Sequence, residues 1–265
     1  MSDPSPEANL RLAHELADIA DAVTLSRFGA PDLVVTEKPD GSPVTDADTL
    51  VEEKLRARLR AARPRDAVTG EEGGAQVGGG PWRWLLDPID GTVSFVRRQA
   101  GWATLIALVR DGVAHLGLVS DPLRGERWWA IRGGGAFRNG SRLRVSAAAR
   151  LAEATVSDDW LEALARRTPY PPLAALAAGC ARVRPYDMPG ALAVASGQAD
   201  VALDIGGGAW DYAPLLVIAE EAGGRLTDLA GRARFDGGVA LVSNRAVHAE
   251  ALAILAAAGP PVAAR

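Results

Sequence analysis

The chain has one cysteine, three histidines, few aromatic residues (5%) and a formal charge of only −4 over 265 residues. Each shortage excludes something. With Cys180 alone, no disulfide can close within one chain and no cysteine-based zinc site can form. His14, His115 and His248 stand apart from every acidic motif in the sequence. That argues against histidine-based catalysis and leaves exposed or core histidines as the expectation. The arginines are scattered rather than clustered, so the basic face of a nucleic-acid binder is missing and a small-molecule partner is expected. No apolar run approaches the ~20 residues that a membrane helix needs; the nearest are strand-like stretches such as Ala103 to Val109. No membrane partner is therefore expected. The start, Met1 to Pro6, lacks a basic-then-apolar leader, from which a cytoplasmic location is expected.

What is present is an apolar content of 48%, enough for one large domain or two modest ones. Leu12, Leu16, Ile19 and Val23 recur at helical spacing and predict an amphipathic helix from about Glu7 to Phe28. Pro39, Gly41 and Pro43 then mark a mobile loop, and Thr45 with Asp48 opens a second helix in capping-box spacing. From residue 82 the pattern becomes strand-like. Trp102 to Arg110 and Val113 to Ser120 flank Asp111-Gly112, a strong hairpin signal, and Glu126 to Arg132 and Ala136 to Val145 continue the sheet. Of the adjacent Trp128 and Trp129, alternation predicts one in the core and one partly exposed. A Pro- and Ala-rich stretch, Pro169 to Cys180, precedes a region of alternating strands and helices, and the chain is expected to divide into halves 1–145 and 146–265. The glycine runs lack the Lys-Ser/Thr of a phosphate loop and are expected to be turns.

The most informative segment is Asp87-Pro88-Ile89-Asp90-Gly91-Thr92, which follows the apolar run Trp82 to Leu86. Two carboxylates, the Ile89 carbonyl and the Thr92 hydroxyl could converge there as oxygen ligands of the magnesium type, not the zinc type. The same residues also suit an Asx-Pro turn capping the next helix. Further acids stand at Asp46/Asp48, Glu71/Glu72 and Asp211. Taken singly, each could be a helix cap or a solvated charge. Gathered in one pocket they would repel one another unless divalent cations neutralised them.

Four segments together, Pro-Val-Thr-Asp-Ala-Asp (43–48), Gly-Glu-Glu (70–72), Asp-Pro-Ile-Asp-Gly-Thr (87–92) and Ala-Trp-Asp-Tyr-Ala-Pro (209–214), resemble the inositol monophosphatase family in order and spacing, over nearly all of Leu12 to Ile254. The resemblance implies an α/β (α+β) fold, a layered αβαβα sandwich, usually as a homodimer. It implies Glu71, Asp87, the Ile89 carbonyl, Asp90 and Asp211 as ligands of two or three Mg2+ ions, with Mn2+ possible in their place. Glu71, Thr92 and Asp48 are then catalytic, with Asp48 orienting Thr92 and the pair orienting a water that attacks a phosphate monoester in line. The amides of Gly91 and Thr92 would bind phosphate oxygens, and the Lys38 loop resembles the family's flap.

Phe95-Val96-Arg97, Trp102 to Leu108, Glu126-Arg127-Trp128-Trp129 and Arg132 to Phe137 are similar to the histidinol-phosphatase branch. Histidinol phosphate, in histidine biosynthesis, is then the expected substrate, with Asp204 facing its ammonium and Asp187 and Arg127 as further contacts. Ser94 stands where the family usually has Asn, and Tyr186-Asp187-Met188-Pro189-Gly190 stands where the branch usually has Gly-Asp and an aromatic stretch, with Pro189 and Gly190 replacing larger residues near the expected substrate wall. Inositol, nucleotide or sugar monophosphates are the alternative substrates, and a cation-binding regulatory protein is the non-enzymatic alternative.

Overall fold

Ser5 accepts the Ala8 amide at 3.2 Å and so starts helix α1 (Pro6–Arg27), with proline in the first turn where its missing N–H costs nothing. In this computed structural model the described residues are 4–157, 171–186 and 188–256. The predicted loop holds a two-stranded antiparallel hairpin, β1 (Val35–Glu37) and β2 (Pro43–Thr45). Strand β1 is exposed throughout, so neither apolar run nor alternation betrays the hairpin. Helix α2 (Asp46–Ala62) begins on the predicted capping box. The Asp48 carboxylate accepts the Thr45 amide at 2.8 Å, while the Thr45 side chain accepts the Asp48 amide at 3.4 Å.

Next come β3 (Ala67–Gly70), β4 (Gly74–Gln76), β5 (Trp82–Asp90), the short helix α3 (Thr92–Val96), β6 (Ala103–Arg110), β7 (Val113–Asp121), β8 (Glu126–Ile131), β9 (Gly135–Arg138) and β10 (Ser141–Arg142). They form an eight-stranded sheet in the order β10-β9-β8-β7-β6-β5-β3-β4, antiparallel except where β3 lies along β5. The predicted Asp111-Gly112 hairpin joins β6 and β7. Strand β5 runs past Leu86 and carries Asp87 and Asp90 inside its pairing with β6, with a register shift between them. The Pro88 carbonyl in that irregular stretch accepts the buried Thr104 hydroxyl at 2.7 Å.

The second sheet contains β11 (Thr155–Ser157), and after it helix α4 (Pro171–Gly179), β12 (Arg182–Arg184), α5 (Gly190–Ala195), β13 (Val201–Ile205), α6 (Ala209–Glu221), β14 (Gly224–Thr227), β15 (Val239–Asn244) and α7 (His248–Ala256). Its order is β12-β11-β13-β15-β14, parallel on either side of β11 and antiparallel beyond. The Pro- and Ala-rich stretch is, where described, helix α4.

The strand period sorts side chains into layers. Trp84, Leu86, Ile106 and Leu118 bury one face of the large sheet against Leu12, Leu16, Val51 and Leu55 of α1 and α2. Leu85, Leu105, Val119 and Trp128 bury the other face against α5, α6 and the inner residues Ala202, Leu226 and Val242 of the small sheet. Val156, Val201 and Leu241 turn outward to Leu173 and Leu176 of α4 and Leu255 of α7. The layers are therefore helix, sheet, helix, sheet, helix, the expected αβαβα sandwich. Trp128 is 1% exposed, whereas Trp129 packs only partly buried on the opposite face against Phe137 and His14. Among the described residues, no helix is long and apolar enough to cross a membrane.

Candidate metal centre

Asp87 follows Leu85 by two residues, so it points to the face covered by α6, and that helix begins three residues before Tyr212 with Ala209-Trp210-Asp211. Asp211 caps its own helix by accepting the Gly208 amide at 2.6 Å. The helix lies close on the sheet because β7 has glycine beneath it. A Cβ at Gly117 would overlap the backbone of Pro214. Asp90 is aimed by the turn behind it. Gly91 has φ +84°, a left-handed conformation that favours glycine, and a Cβ there would collide with the Gly101 carbonyl.

These constraints converge. One carboxylate oxygen each from Asp87, Asp90 and Asp211 lies within 4.8 Å of the others. Asp87 is 1% exposed, is hydrogen-bonded to Asp211, and its Oδ1 is buried with no hydrogen-bond partner. Burial pushes the Asp87 carboxyl well above the usual carboxylate range, and the charges of Asp211, Glu71 and Asp90 push the same way. Asp90 is raised by burial and then by Asp211, Asp204 and Glu71. Asp211 is raised by burial, against the opposing bonds from Asp87 and the Gly208 amide. Such mutual repulsion in a buried pocket calls for a positive charge.

Glu71 stands close enough to press on all three acids, and its Oε1 accepts the Lys38 ammonium at 2.8 Å; Glu72 accepts the same ammonium at 2.7 Å. Burial would depress the Lys38 pKa, but the two glutamates outweigh it and raise it. Lys38 thus brings the β1–β2 hairpin down onto the acidic turn. The Thr92 hydroxyl donates to the Ile89 carbonyl at 3.0 Å and lies 3.4 Å from Asp48 Oδ1. Asp48 is fully buried, its Oδ2 is fixed by Thr45, and burial raises its carboxyl against those bonds.

The predicted substrate contacts separate. Asp204, at the end of β13, is near enough to raise Asp90, and it lines a narrow cleft with Ser157, Gly190 and Tyr212. A second narrow cleft is lined by Asp90, Trp102, Glu126, Trp128 and Met188. The Gly91 amide bonds to the carboxylate of Asp90. Arg127 is not in this group. It alternates with Trp128 and therefore faces α1, where it pairs with Asp18 at 2.7 Å and with Asp21, and donates to Ser120 at 3.3 Å. Asp187 lies outside the described residues. The histidines are elsewhere, as expected: His14 and His115 meet Trp129 and Trp82 edge-on, and His248 is buried between Thr227 and Ser243.

Sequence reasoning missed Glu52, whose carboxylate accepts the amides of Glu72 and Gly73 at 2.9 and 2.8 Å. A signal was available, because Glu52 falls on the helical stripe shared by Val51, Leu55 and Leu59, where a charge is out of place unless it has partners.

The sequence profile of the Inositol monophosphatase family matches residues 6–259. Histidinol-phosphatase of Mycobacterium tuberculosis is 44% identical over 250 residues, covering 92% of this chain and 96% of that protein. Histidinol-phosphatase of Streptomyces coelicolor is 43% identical over 257 residues, covering 93% and 96%. Among solved structures, an inositol monophosphatase from Zymomonas mobilis superposes with a TM-score of 0.80 at 30% identity, covering 96% of this chain and 99% of that one.

Proposed function

Given that this chain belongs to the inositol monophosphatase family, we propose that it is a magnesium-dependent phosphatase that hydrolyses L-histidinol phosphate to L-histidinol and phosphate. At the coarser level it is a phosphoric monoester hydrolase. The observation that carries the metal is the convergence of Asp87, Asp90 and Asp211 around a buried, unsatisfied carboxylate oxygen. All the donors are oxygens, and this hard set fits Mg2+, or Mn2+ in its place. Asp87, Asp90, Asp211, Glu71 and the Ile89 carbonyl would hold the ions. When bound, they would supply Lewis-acid polarisation of the phosphate and a lowered pKa for attacking water. The half 1–145 then contributes Glu71, Asp87, Ile89 and Asp90, and the half 146–265 contributes Asp211 and Asp204, so that the site forms only where the two meet.

The protein's own groups do the positioning. The Thr92 hydroxyl has one proton, which it can give to Asp48 Oδ1, and doing so leaves its lone pairs turned to accept a hydrogen bond from the incoming water. Asp48 holds that orientation because Thr45 fixes its other oxygen. Glu71 accepts the water's proton once Lys38 has let go of its Oε1. The Thr92 amide, which opens α3, would meet the phosphate oxygens, whereas the expected Gly91 amide is already taken by the Asp90 carboxylate. Burial strengthens each of these contacts relative to water.

Support for the alcohol portion comes from Asp204, a carboxylate at the mouth of the cleft next to Asp90, suited to an ammonium group, and from the two histidinol-phosphatases that match this chain nearly end to end. The test is phosphate release from a panel of histidinol, inositol, nucleotide and sugar phosphates, ranked by kcat/KM with Mg2+ and with EDTA. Histidinol phosphate should rank first and EDTA should abolish turnover. Another ester ranking first by tenfold or more refutes the substrate, and EDTA-resistant turnover refutes the metal.

A further inference from the structure

Helix α2 carries a buried polar series, Asp48, Glu52 and Arg56, spaced one turn apart. Asp48 serves Thr92. Glu52, 2% exposed, serves the turn that bears Glu71. Its Oε2 accepts the Glu72 amide at 2.9 Å, and its Oε1 accepts the Gly73 amide at 2.8 Å and Arg56 Nε at 2.7 Å. Arg56 Nη2 continues to the Gly74 carbonyl at 2.5 Å. A buried carboxylate is tolerated only with such partners, and here they are Arg56 and the backbone immediately after Glu71. Two glycines of the turn make the room, since a Cβ at Gly70 or Gly73 would overlap the Glu52 carboxylate. On its other side, the Glu71 amide donates to the Leu86 carbonyl of β5 at 3.1 Å. The chain is therefore pinned before and after Glu71, and the Glu71 side chain is what remains to move.

We propose that Glu52, backed by Arg56, is the positioning residue that aims Glu71 at the divalent cation, an inference that rests on the assignment of Glu71 as a ligand. Through Asp48 and Glu52, one face of α2 sets both the Thr92 hydroxyl and the Glu71 carboxylate. Partners that orient a metal ligand typically govern about 10- to 100-fold of metal affinity.

The test is a double-mutant cycle on the full chain with Mg2+ as the probe, read by calorimetric titration and by the dependence of turnover on Mg2+ concentration. Glu71→Gln should weaken Mg2+ binding. Glu52→Gln should weaken it about 10- to 100-fold. The double variant should bind no more weakly than Glu71→Gln alone, because Glu52 acts through Glu71. Additive losses, or wild-type affinity in Glu52→Gln beside a weakened Glu71→Gln, overturn the proposal. Unchanged affinity in Glu71→Gln overturns instead the assignment of Glu71 as a ligand. If Glu52→Gln does not fold, Gly73→Ala intrudes on the same carboxylate from the turn. It should show the same non-additive loss, and wild-type affinity in folded Gly73→Ala overturns the proposal.

Discussion

Asp87→Asn should stabilise the cation-free protein while removing its response to magnesium. Asn has the shape of Asp and can donate to Asp211, but carries no charge. In the wild-type chain, carboxylate oxygens of Asp87, Asp90 and Asp211 lie within 4.8 Å of one another. At an effective dielectric of about 20, each fully ionised pair at that distance repels by roughly 3 kcal/mol. Partial protonation relieves part of this, so the net gain expected in EDTA is about 2 kcal/mol, or roughly 4–8 °C in Tm for a chain of this size. Saturating Mg2+ at about a hundred times its Kd adds ~2.7 kcal/mol to the wild-type chain and should add nothing to the variant. Urea denaturation of both proteins, in EDTA and in Mg2+, reads all four stabilities. A variant less stable than wild type in EDTA would refute the repulsion argument, and an undiminished Mg2+ response would refute the role of Asp87 as a ligand.

Thr92→Val removes the hydroxyl 3.4 Å from Asp48 Oδ1 and should lower kcat by about 10²- to 10³-fold, with Mg2+ affinity by calorimetry unchanged. Asp204→Asn should raise KM for histidinol phosphate about tenfold and leave KM for inositol 1-phosphate within about twofold; equal changes for both esters would refute an ammonium contact. His248, 1% exposed, is pushed down to about 4 by burial and then by Arg225. The unfolded chain, with histidine near ~6.5, binds the extra proton first, so stability is complete above that pH and falls on acidification towards 4. His248→Gln should lack this component, losing about 2–3 kcal/mol less than wild type between pH 7 and 4.5 in urea titrations.

What the sequence disclosed tracks how local each cause is. The capping box at Thr45 and Asp48, the Asp111-Gly112 hairpin and the strand leading to Asp87 are set by neighbours within a few residues, and each is found where expected. The β1–β2 hairpin escaped because its strands are three residues long with little burial. Helix α4 escaped because alanine and proline at its start read as a linker. Arg127 was placed by likeness of motif; alternation sets it opposite Trp128, but the sequence left open which of Trp128 and Trp129 is the core residue. Convergence of Asp211 on Asp87 depends on how helix and sheet pack across more than a hundred residues of chain. No spacing encodes that, and only the resemblance anticipated it. Glu52 was legible as a charge on a core stripe, but its partners, the amides at 72 and 73, were not.

Beneath α6, the large sheet has a notch at Gly117, filled by the backbone of Pro214. Asp211 sits one turn up that helix, so its reach to the other acids is set by how deeply the helix seats. A mutational survey restricted to polar residues would pass over position 117, where a single added methyl group would overlap the backbone of Pro214 and press on the helix that carries Asp211 without touching an ionisable side chain. Tolerance to substitution in this protein is therefore governed as much by interior clearance as by chemistry at the cleft.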